Sequence, residues 1–223
     1  VLKKINNKTV LEYVYERCLK VTKNRNIYIA TEDKEIVNFC KKKNINYFLN
    51  KRKCLTGTDR LPELARKIKR KFYFNVQGDE IFFSTSALKK IINETVRLKK
   101  NITNGMTKIK NIKEFISLSV PKVVTNNKDY LLYMSRSPIP GNKNKKFVSG
   151  YKQVCIYGFP RKSILTLNKF KSKTKNENIE DIEILRFLDL GEKVKMIKVN
   201  GSKLAIDTYK DFNEAKKILK KKN

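Results

Sequence analysis

Histidine is absent from all 223 residues of this chain. Its absence excludes Ser-His-Asp and Cys-His nucleophilic catalysis, together with every metal site that needs an imidazole ligand. Any chemistry that the chain performs must therefore rest on carboxylates, lysine, arginine and a bound metal ion.

Cysteine is scarce and long apolar runs are missing. The 4 cysteines, at positions 18, 40, 54 and 155, include no CxxC pair, so reduced, mostly buried thiols are expected and neither a zinc site nor a disulfide framework is indicated. No apolar run is long enough to cross a bilayer, and no signal-peptide core is present. The sequence predicts one globular cytoplasmic domain without membrane insertion.

Acidic residues are few beside the basic ones. Lys and Arg number 52 against 21 Asp and Glu, and the formal net charge of +31 raises the question of nucleic acid. The lysines are spread through nearly every predicted element, and no RNA-binding signature accompanies them. A diffuse solvated surface is favoured, and a basic nucleic-acid-binding module remains the alternative from another functional class.

Helical and strand patterns alternate through the first hundred residues, which predicts βαβ units and a doubly wound sheet. Shorter extended runs from Ser117 onward predict antiparallel or mixed strands added to it. The expected fold class is α/β, with a mixed, mostly parallel sheet flanked by helices. Predicted helices cover residues 10–19, 31–42 with Thr31 as N-cap, 58–70, 85–98 with Ser84 as N-cap, and 210–221.

Two later segments have their own patterns. Residues 141–150 form a polar excursion after a Pro-rich stretch and are expected to be a flexible arm or lid. Further on, Ile179, Ile182, Leu185 and Leu188 are spaced as one face of a single helix.

An apolar strand runs directly into a turn with two adjacent carboxylates at residues 74–80, FNVQGDE. In open α/β sheets ligands bind outside the carboxyl ends of strands, so Asp79 is expected to point into such a crevice. A hard cation such as Mg²⁺ prefers carboxylate and phosphate oxygens, and Asp207, in a second acidic loop, is the candidate for the other protein ligand. Both aspartates precede helical patterns, so helix capping is the alternative role for each.

Five segments occur in a fixed order along the chain: TGTDR at 56–60, NVQGDE at 75–80, YLLYMSRSPIP at 130–140, IYG at 156–158, and ExxExxR at 180–186 followed by GEK at 191–193 and IDTYKD at 206–211. Together they resemble the family of cytidylyltransferases that activate 3-deoxy-D-manno-octulosonate (Kdo) as its CMP ester. The resemblance extends from Ile5 to the end of the chain, and five motifs in register are far more specific than one.

This resemblance implies a Rossmann-like fold of the nucleotide-diphospho-sugar transferase type and transfer of CMP from CTP to a 2-keto acid sugar, with loss of pyrophosphate. It also implies that Asp79 and Asp207 hold the Mg²⁺ and act in catalysis, that the protein is a homodimer, and that the product serves lipopolysaccharide biosynthesis. Attack by a sugar hydroxyl on the α-phosphate needs neutralised charge and aligned reactants, which a metal and cationic side chains supply without a histidine base.

The resemblance further implies two groups of binding residues. The nucleotide group comprises Thr56, Gly57, Asp59, Arg60 and Gln77. The sugar group comprises Arg136, Gln153, Tyr157, Glu180 and Glu183, and Arg186 on the same helix is expected to pair with Glu183.

The chain departs from the family pattern at three places. Gln153 stands where many members carry histidine, and Ile184 stands where the helix usually has glutamine, so a modified Kdo or another acid sugar such as a nonulosonate is an alternative substrate. The family also opens with a strand and a basic, glycine-containing loop that precede the position of Val1. The expectation is an N-terminally incomplete domain over residues 1–223 with exposed strand edges and weak activity.

Overall fold

The computed structural model describes residues 1–144, 146–170, 172–201, 206 and 208–220, with only the backbone described for Lys210. The helices are α1 Val10–Leu19, α2 Lys34–Lys42, α3 Leu61–Lys67, α4 Thr85–Leu98, α5 Ile112–Ile116, α6 Arg161–Thr166, α7 Lys175–Glu180, α8 Ile184–Asp189 and α9 Tyr209–Lys220. The strands are β1 Lys4–Ile5, β2 Lys8–Thr9, β3 Ile29–Thr31, β4 Tyr47–Leu49, β5 Phe72–Val76, β6 Ile102–Lys108, β7 Lys122–Thr125, β8 Leu131–Ser135, β9 Tyr151–Pro160 and β10 Val194–Lys198.

A mixed sheet of six strands forms the centre of the protein and confirms the α/β class. Its order is β10-β6-β9-β7-β8, and β5 pairs with β9 as well. Strands β5, β6, β7 and β10 run in one direction, and β8 and β9 run in the other. The long strand β9 runs against β5, β6 and β7, so within the described ladder only β6 and β10 pair in parallel.

Strands β3 and β4 pair in parallel as a separate two-stranded sheet, so the expected single doubly wound sheet is divided in the described structure. A cavity separates β3 from β5. It is lined by the consecutive residues 28–31 and 72–76. Because side chains alternate between the two faces of a strand, consecutive lining residues mean that the cavity meets the backbone edges of both strands.

Two apolar clusters cover the two faces of the large sheet. One contains Tyr73, Met106 and Phe159, packed with residues of α3 and α8. The other contains Val154 and Ile156, packed with residues of α1 and α4. Because both faces are buried, strands β5 and β9 carry apolar side chains on both faces.

Local capping decides where the helices begin. Helix α4 matches its predicted bounds, and Ser84 accepts a hydrogen bond from the Ala87 backbone N–H, as the sequence indicates. Thr31 is not an N-cap, because it ends β3 and the carboxylate of Asp33 caps α2 instead. The helix predicted over residues 58–70 is shorter, with a 3-10 turn over Thr58–Arg60 before α3.

All 4 cysteines are free thiols, with Cys40 buried and the other three partly buried. The flexible arm or lid expected over residues 141–150 stays a prediction. Residues 141–144 and 146–150 contain no helix or strand, and Phe147 packs on Phe115 with ring centroids 5.0 Å apart. Among the described helices, none has the length and apolar character needed to cross a bilayer.

Candidate active site

A cavity of about 660 Å³ lies beside β5 and extends past the carboxyl end of that strand. Five of the predicted site residues line it: Gly57, Arg60, Gln77, Asp79 and Glu183. They come from the turn before α3, the turn after β5 and the junction of α7 with α8. The fold thus brings together segments more than 100 positions apart in the chain.

The turn after β5 presents Asp79 to this cavity. The strand ends at Val76, and the Glu80 backbone N–H donates to the Gln77 carbonyl at 3.3 Å. The Asp79 carbonyl accepts from the Ile81 N–H at 3.0 Å and from the Ile206 N–H at 3.3 Å. Asp207 itself lies outside the described residues.

The donor set of the cavity fits a divalent cation bound mainly through its substrate. Within the described ranges, no group of three or more Asp, Glu, Cys or His side chains forms a metal cage. Magnesium commonly keeps several waters and takes only one or two protein carboxylates together with phosphate oxygens. Asp79 lines the cavity and can supply one such carboxylate.

The turn over residues 56–60 is held by a carboxylate from the far end of the chain. The Gly57 N–H donates to Glu183 Oε1 at 2.8 Å, and the Thr58 N–H donates to Glu183 Oε2 at 3.3 Å. The Thr58 hydroxyl also donates to Glu183 and accepts from Asn75 Nδ2 at 3.2 Å. Burial raises the pKa of Glu183, even though these hydrogen bonds favour its ionised form.

Asp59 is not among the residues that line the cavity, and it supports the turn through hydrogen bonds. Its Oδ2 accepts from the Thr56 backbone N–H at 2.9 Å and from the Thr56 hydroxyl at 3.1 Å. Both of its oxygens also accept from the guanidinium of Arg186, which is 2% exposed. Asp59 and Thr56 thus shape the turn and neither is among the residues that line the cavity, while their direct contact with a nucleotide stays a prediction.

Arg186 does not pair with Glu183 as predicted. Besides Asp59, it donates to both carboxylate oxygens of Glu177 at 2.6 Å. The single helix predicted through this region is broken, because Asp181 adopts the left-handed conformation at φ 51° and separates α7 from α8. The break turns Glu183 and Arg186 toward different partners, which helical spacing alone cannot indicate.

Arg60 lines the cavity and carries its own counter-ion. Its Nε donates to Glu32 Oε2 at 2.8 Å and its Nη2 donates to Glu32 Oε1 at 3.3 Å. The Glu32 hydrogen bond raises the pKa of Arg60, and the same bond lowers the pKa of Glu32. Sequence reasoning missed Glu32, and its position one residue after β3 was the only available signal.

Arg136 and Glu180 face each other and lie outside the set of residues that line the cavity. The guanidinium of Arg136 donates to the carbonyls of Glu180, Leu118 and Asp181 at 2.6, 3.0 and 3.0 Å. The Glu180 carboxylate accepts from the Ser135 hydroxyl at 2.6 Å and the Arg136 N–H at 2.8 Å. In this conformation both side chains are hydrogen-bonded within the fold, and their contact with a sugar stays a prediction.

Gln153 and Tyr157 lie on one face of the sheet beside Asn104, which sequence reasoning also missed. Asn75, Asn104 and Tyr157 are register neighbours on three adjacent strands. Gln153 Nε2 donates to Asn104 Oδ1 at 3.0 Å and to the Tyr157 hydroxyl at 3.3 Å. Burial raises the pKa of Tyr157 well above its ordinary value, so its hydroxyl stays protonated near neutrality.

A cavity beside a strand end, with one carboxylate for a cation and an arginine, is suited to polyphosphate chemistry. The fold and this site define the class of nucleotidyltransferase enzymes. A family model described as cytidylyltransferase matches residues 1–213, and the chain belongs to the cytidylyltransferase family.

Two curated relatives and one solved structure are similar over nearly the full chain. A 3-deoxy-manno-octulosonate cytidylyltransferase of Geotalea daltonii is 30% identical and covers 98% of this chain and 91% of its own length. The enzyme of the same name from Fusobacterium nucleatum is 29% identical over 100% of this chain and 91% of its own length. A CMP:2-keto-3-deoxy-manno-octonic acid synthetase complexed with CTP has a TM-score of 0.90 and 25% identity, with 100% of this chain and 92% of its own covered.

The fold is shared more widely than the sequence. A 4-diphosphocytidyl-2C-methyl-D-erythritol synthase from Anaerococcus prevotii has a TM-score of 0.62 at 18% identity and covers 97% of this chain and 88% of its own. This similarity concerns the fold alone.

Proposed function

We propose that the chain transfers CMP from CTP to Kdo and releases pyrophosphate. The main observation behind this proposal is that five residues line one cavity: Gly57, Arg60, Gln77, Asp79 and Glu183. The names of the two similar enzymes, and the CTP bound in the similar solved structure, support this choice of substrates.

In the proposed reaction a hydroxyl oxygen of the sugar attacks the α-phosphorus of CTP. The new phosphorus–oxygen bond forms as the bond to the bridging oxygen breaks, pyrophosphate leaves, and the hydroxyl proton passes to solvent. Arg60 orients phosphate oxygens, since its fork of donors matches them and Glu32 fixes its position. Gln77, in the turn after β5, offers a side-chain amide and is assigned to the nucleotide.

Asp79 and Asp207 are proposed as the ligands of a divalent cation, with Mg²⁺ as the expected ion. Such a cation, when bound, supplies positive charge to the phosphate oxygens. Gln153 and Tyr157 are proposed to contact hydroxyl groups of the sugar. Arg136 and Glu180 are proposed to contact the sugar after they give up their hydrogen bonds within the protein. A cytoplasmic location and a homodimeric assembly belong to the same proposal.

The test measures pyrophosphate release from CTP with Kdo, a modified Kdo and a nonulosonate, each with and without Mg²⁺. Asp79→Asn removes one cation ligand, and because such an ion contributes several kcal/mol to the transition state we expect a loss of about 10²-fold or more. Asp33→Asn is the matched control, since asparagine also caps a helix. Equal activity of wild type and Asp79→Asn contradicts the role of Asp79, and turnover only with a nonulosonate contradicts Kdo as the substrate.

A further inference from the structure

Two charged links join the turn over residues 56–60 to the α7–α8 segment. Glu183 accepts three hydrogen bonds from Gly57 and Thr58. Arg186 bonds Asp59, which in turn holds Thr56. Both links end on the same short turn, and both cross more than 120 residues of sequence.

The Arg186 link is a closed set of charges inside the protein. Arg186 is 2% exposed, Glu177 is 1% exposed and Asp59 is 6% exposed. The arginine meets one carboxylate from α7 and one from the turn before α3, and all three side chains are hydrogen-bonded. Desolvating three charges gives little net stability compared with well-packed apolar groups, so stability alone is a weak reason for this arrangement.

The link gives the turn a defined geometry. Bidentate guanidinium–carboxylate bonds fix both the distance and the plane of their partners. Because Asp59 Oδ2 accepts from the Thr56 N–H and hydroxyl while both Asp59 oxygens accept from Arg186, the orientation of the guanidinium also sets the start of the turn. Gly57 and Arg60, which line the cavity, follow directly from that start.

We infer that Arg186 is a positioning residue for the nucleotide: through Asp59 it fixes the 56–60 turn relative to α7–α8, so that Gly57 and Arg60 face CTP in one arrangement. This inference rests on the proposed function. It assigns the conformation of the nucleotide side of the cavity to a buried residue that lies outside the cavity and touches no substrate. Loss of the link is expected to weaken CTP binding more than it slows the chemical step.

The experiment compares CTP dissociation constants by calorimetry, and KM and kcat for pyrophosphate release, in wild type and Arg186→Lys. Lysine keeps the positive charge but loses the planar fork. Arg161→Lys is the matched control, because Arg161 donates only to the Ala65 carbonyl among the bonds described for its side chain. We expect a rise of about tenfold or more in the Kd and KM for CTP in Arg186→Lys, with kcat within about threefold, and neither change in Arg161→Lys.

A second variant separates positioning from folding. Asp59→Asn, Glu177→Gln and Arg186→Met together remove all three charges while keeping similar volumes, so this chain is expected to fold even if Arg186→Lys does not. Weakened CTP binding by every variant that folds supports the inference, and wild-type CTP binding by any folded variant overturns it. If wild type binds CTP but releases no pyrophosphate with Kdo, the proposed reaction fails while the binding comparison still decides the role of Arg186.

Discussion

At the scale of single residues, Glu183 combines a buried carboxylate with three hydrogen bonds from one turn. Its pKa is raised above the ordinary value of 4.5 by burial. As pH rises above that value the unfolded chain ionises first, so the folded state loses stability until the pH passes the folded pKa. We therefore expect the stability advantage of wild type over Glu183→Gln to be largest near pH 4.5 and to decline toward neutrality.

Urea unfolding of the two proteins at several pH values between 4.5 and 7.5 measures this difference. Each unit of pKa shift corresponds to about 1.4 kcal/mol of pH-dependent stability. A difference that stays constant, or that increases with pH, contradicts the assignment of a raised pKa to Glu183.

Gly158 is the residue where α4 and the sheet approach most closely. A Cβ at this position would overlap the Thr95 hydroxyl and would lie 2.5 Å from the Thr103 hydroxyl, and both threonines are fully buried. Gly158→Ala is therefore expected to lower the free energy of unfolding by about 1–3 kcal/mol through overpacking. Gly141→Ala is the control, because its Cβ would meet no atom within 4 Å. Equal unfolding midpoints for the two variants would falsify this account of the contact.

At the scale of elements, the left-handed residue Asp181 decides that α7 and α8 are two helices. Aspartate and asparagine tolerate this conformation, whereas alanine does not, at a cost of about 1–2 kcal/mol. We expect Asp181→Ala to destabilise the protein by about 1 kcal/mol and Asp181→Asn by less than about 0.5 kcal/mol, although both remove the exposed ion pair with Lys173. If chemical denaturation shows equal losses for the two variants, the ion pair and not the backbone is responsible.

The same elements show how far sequence reasoning reaches. Strand β5 and helix α4 follow from local patterns, because alternation and the Ser84 cap are properties of neighbouring residues. Asp33 is also a local signal, because aspartate is a common N-cap, but Thr31 offers a competing cap two residues earlier. The break at Asp181 does not follow from local patterns, since the apolar residues on both sides of it continue one helical face. Strand β6 has a polar centre at Thr103-Asn104-Gly105, which interrupts the apolar pattern expected of a buried strand. It is recognised only from its pairing with β9 and β10.

At the scale of the whole molecule, the candidate site depends on contacts that sequence spacing does not determine. The motifs identify Gly57, Arg60, Gln77, Asp79 and Glu183 as candidates, and the fold brings these five to one cavity. They do not show that Asp59 bonds Arg186, or that Arg136 is occupied by backbone carbonyls. Long-range pairing of charges follows from tertiary packing, which a single sequence leaves open.

The net charge of +31 also belongs to this scale. Most of the few acidic residues in the described ranges are in ion pairs or capping bonds, and Asp59, Glu177 and Glu183 serve the interior of the site. The remaining positive charge attracts anions generally, which favours encounter with nucleotides without specifying one.

The most direct test of the central claim is phosphorus NMR of the protein incubated with CTP, Kdo and Mg²⁺. Transfer of CMP predicts that the CTP resonances are replaced by those of pyrophosphate and of a new phosphodiester, and that the same mixture without Kdo is unchanged. Unchanged CTP in the presence of folded protein and every acid sugar tested contradicts the account.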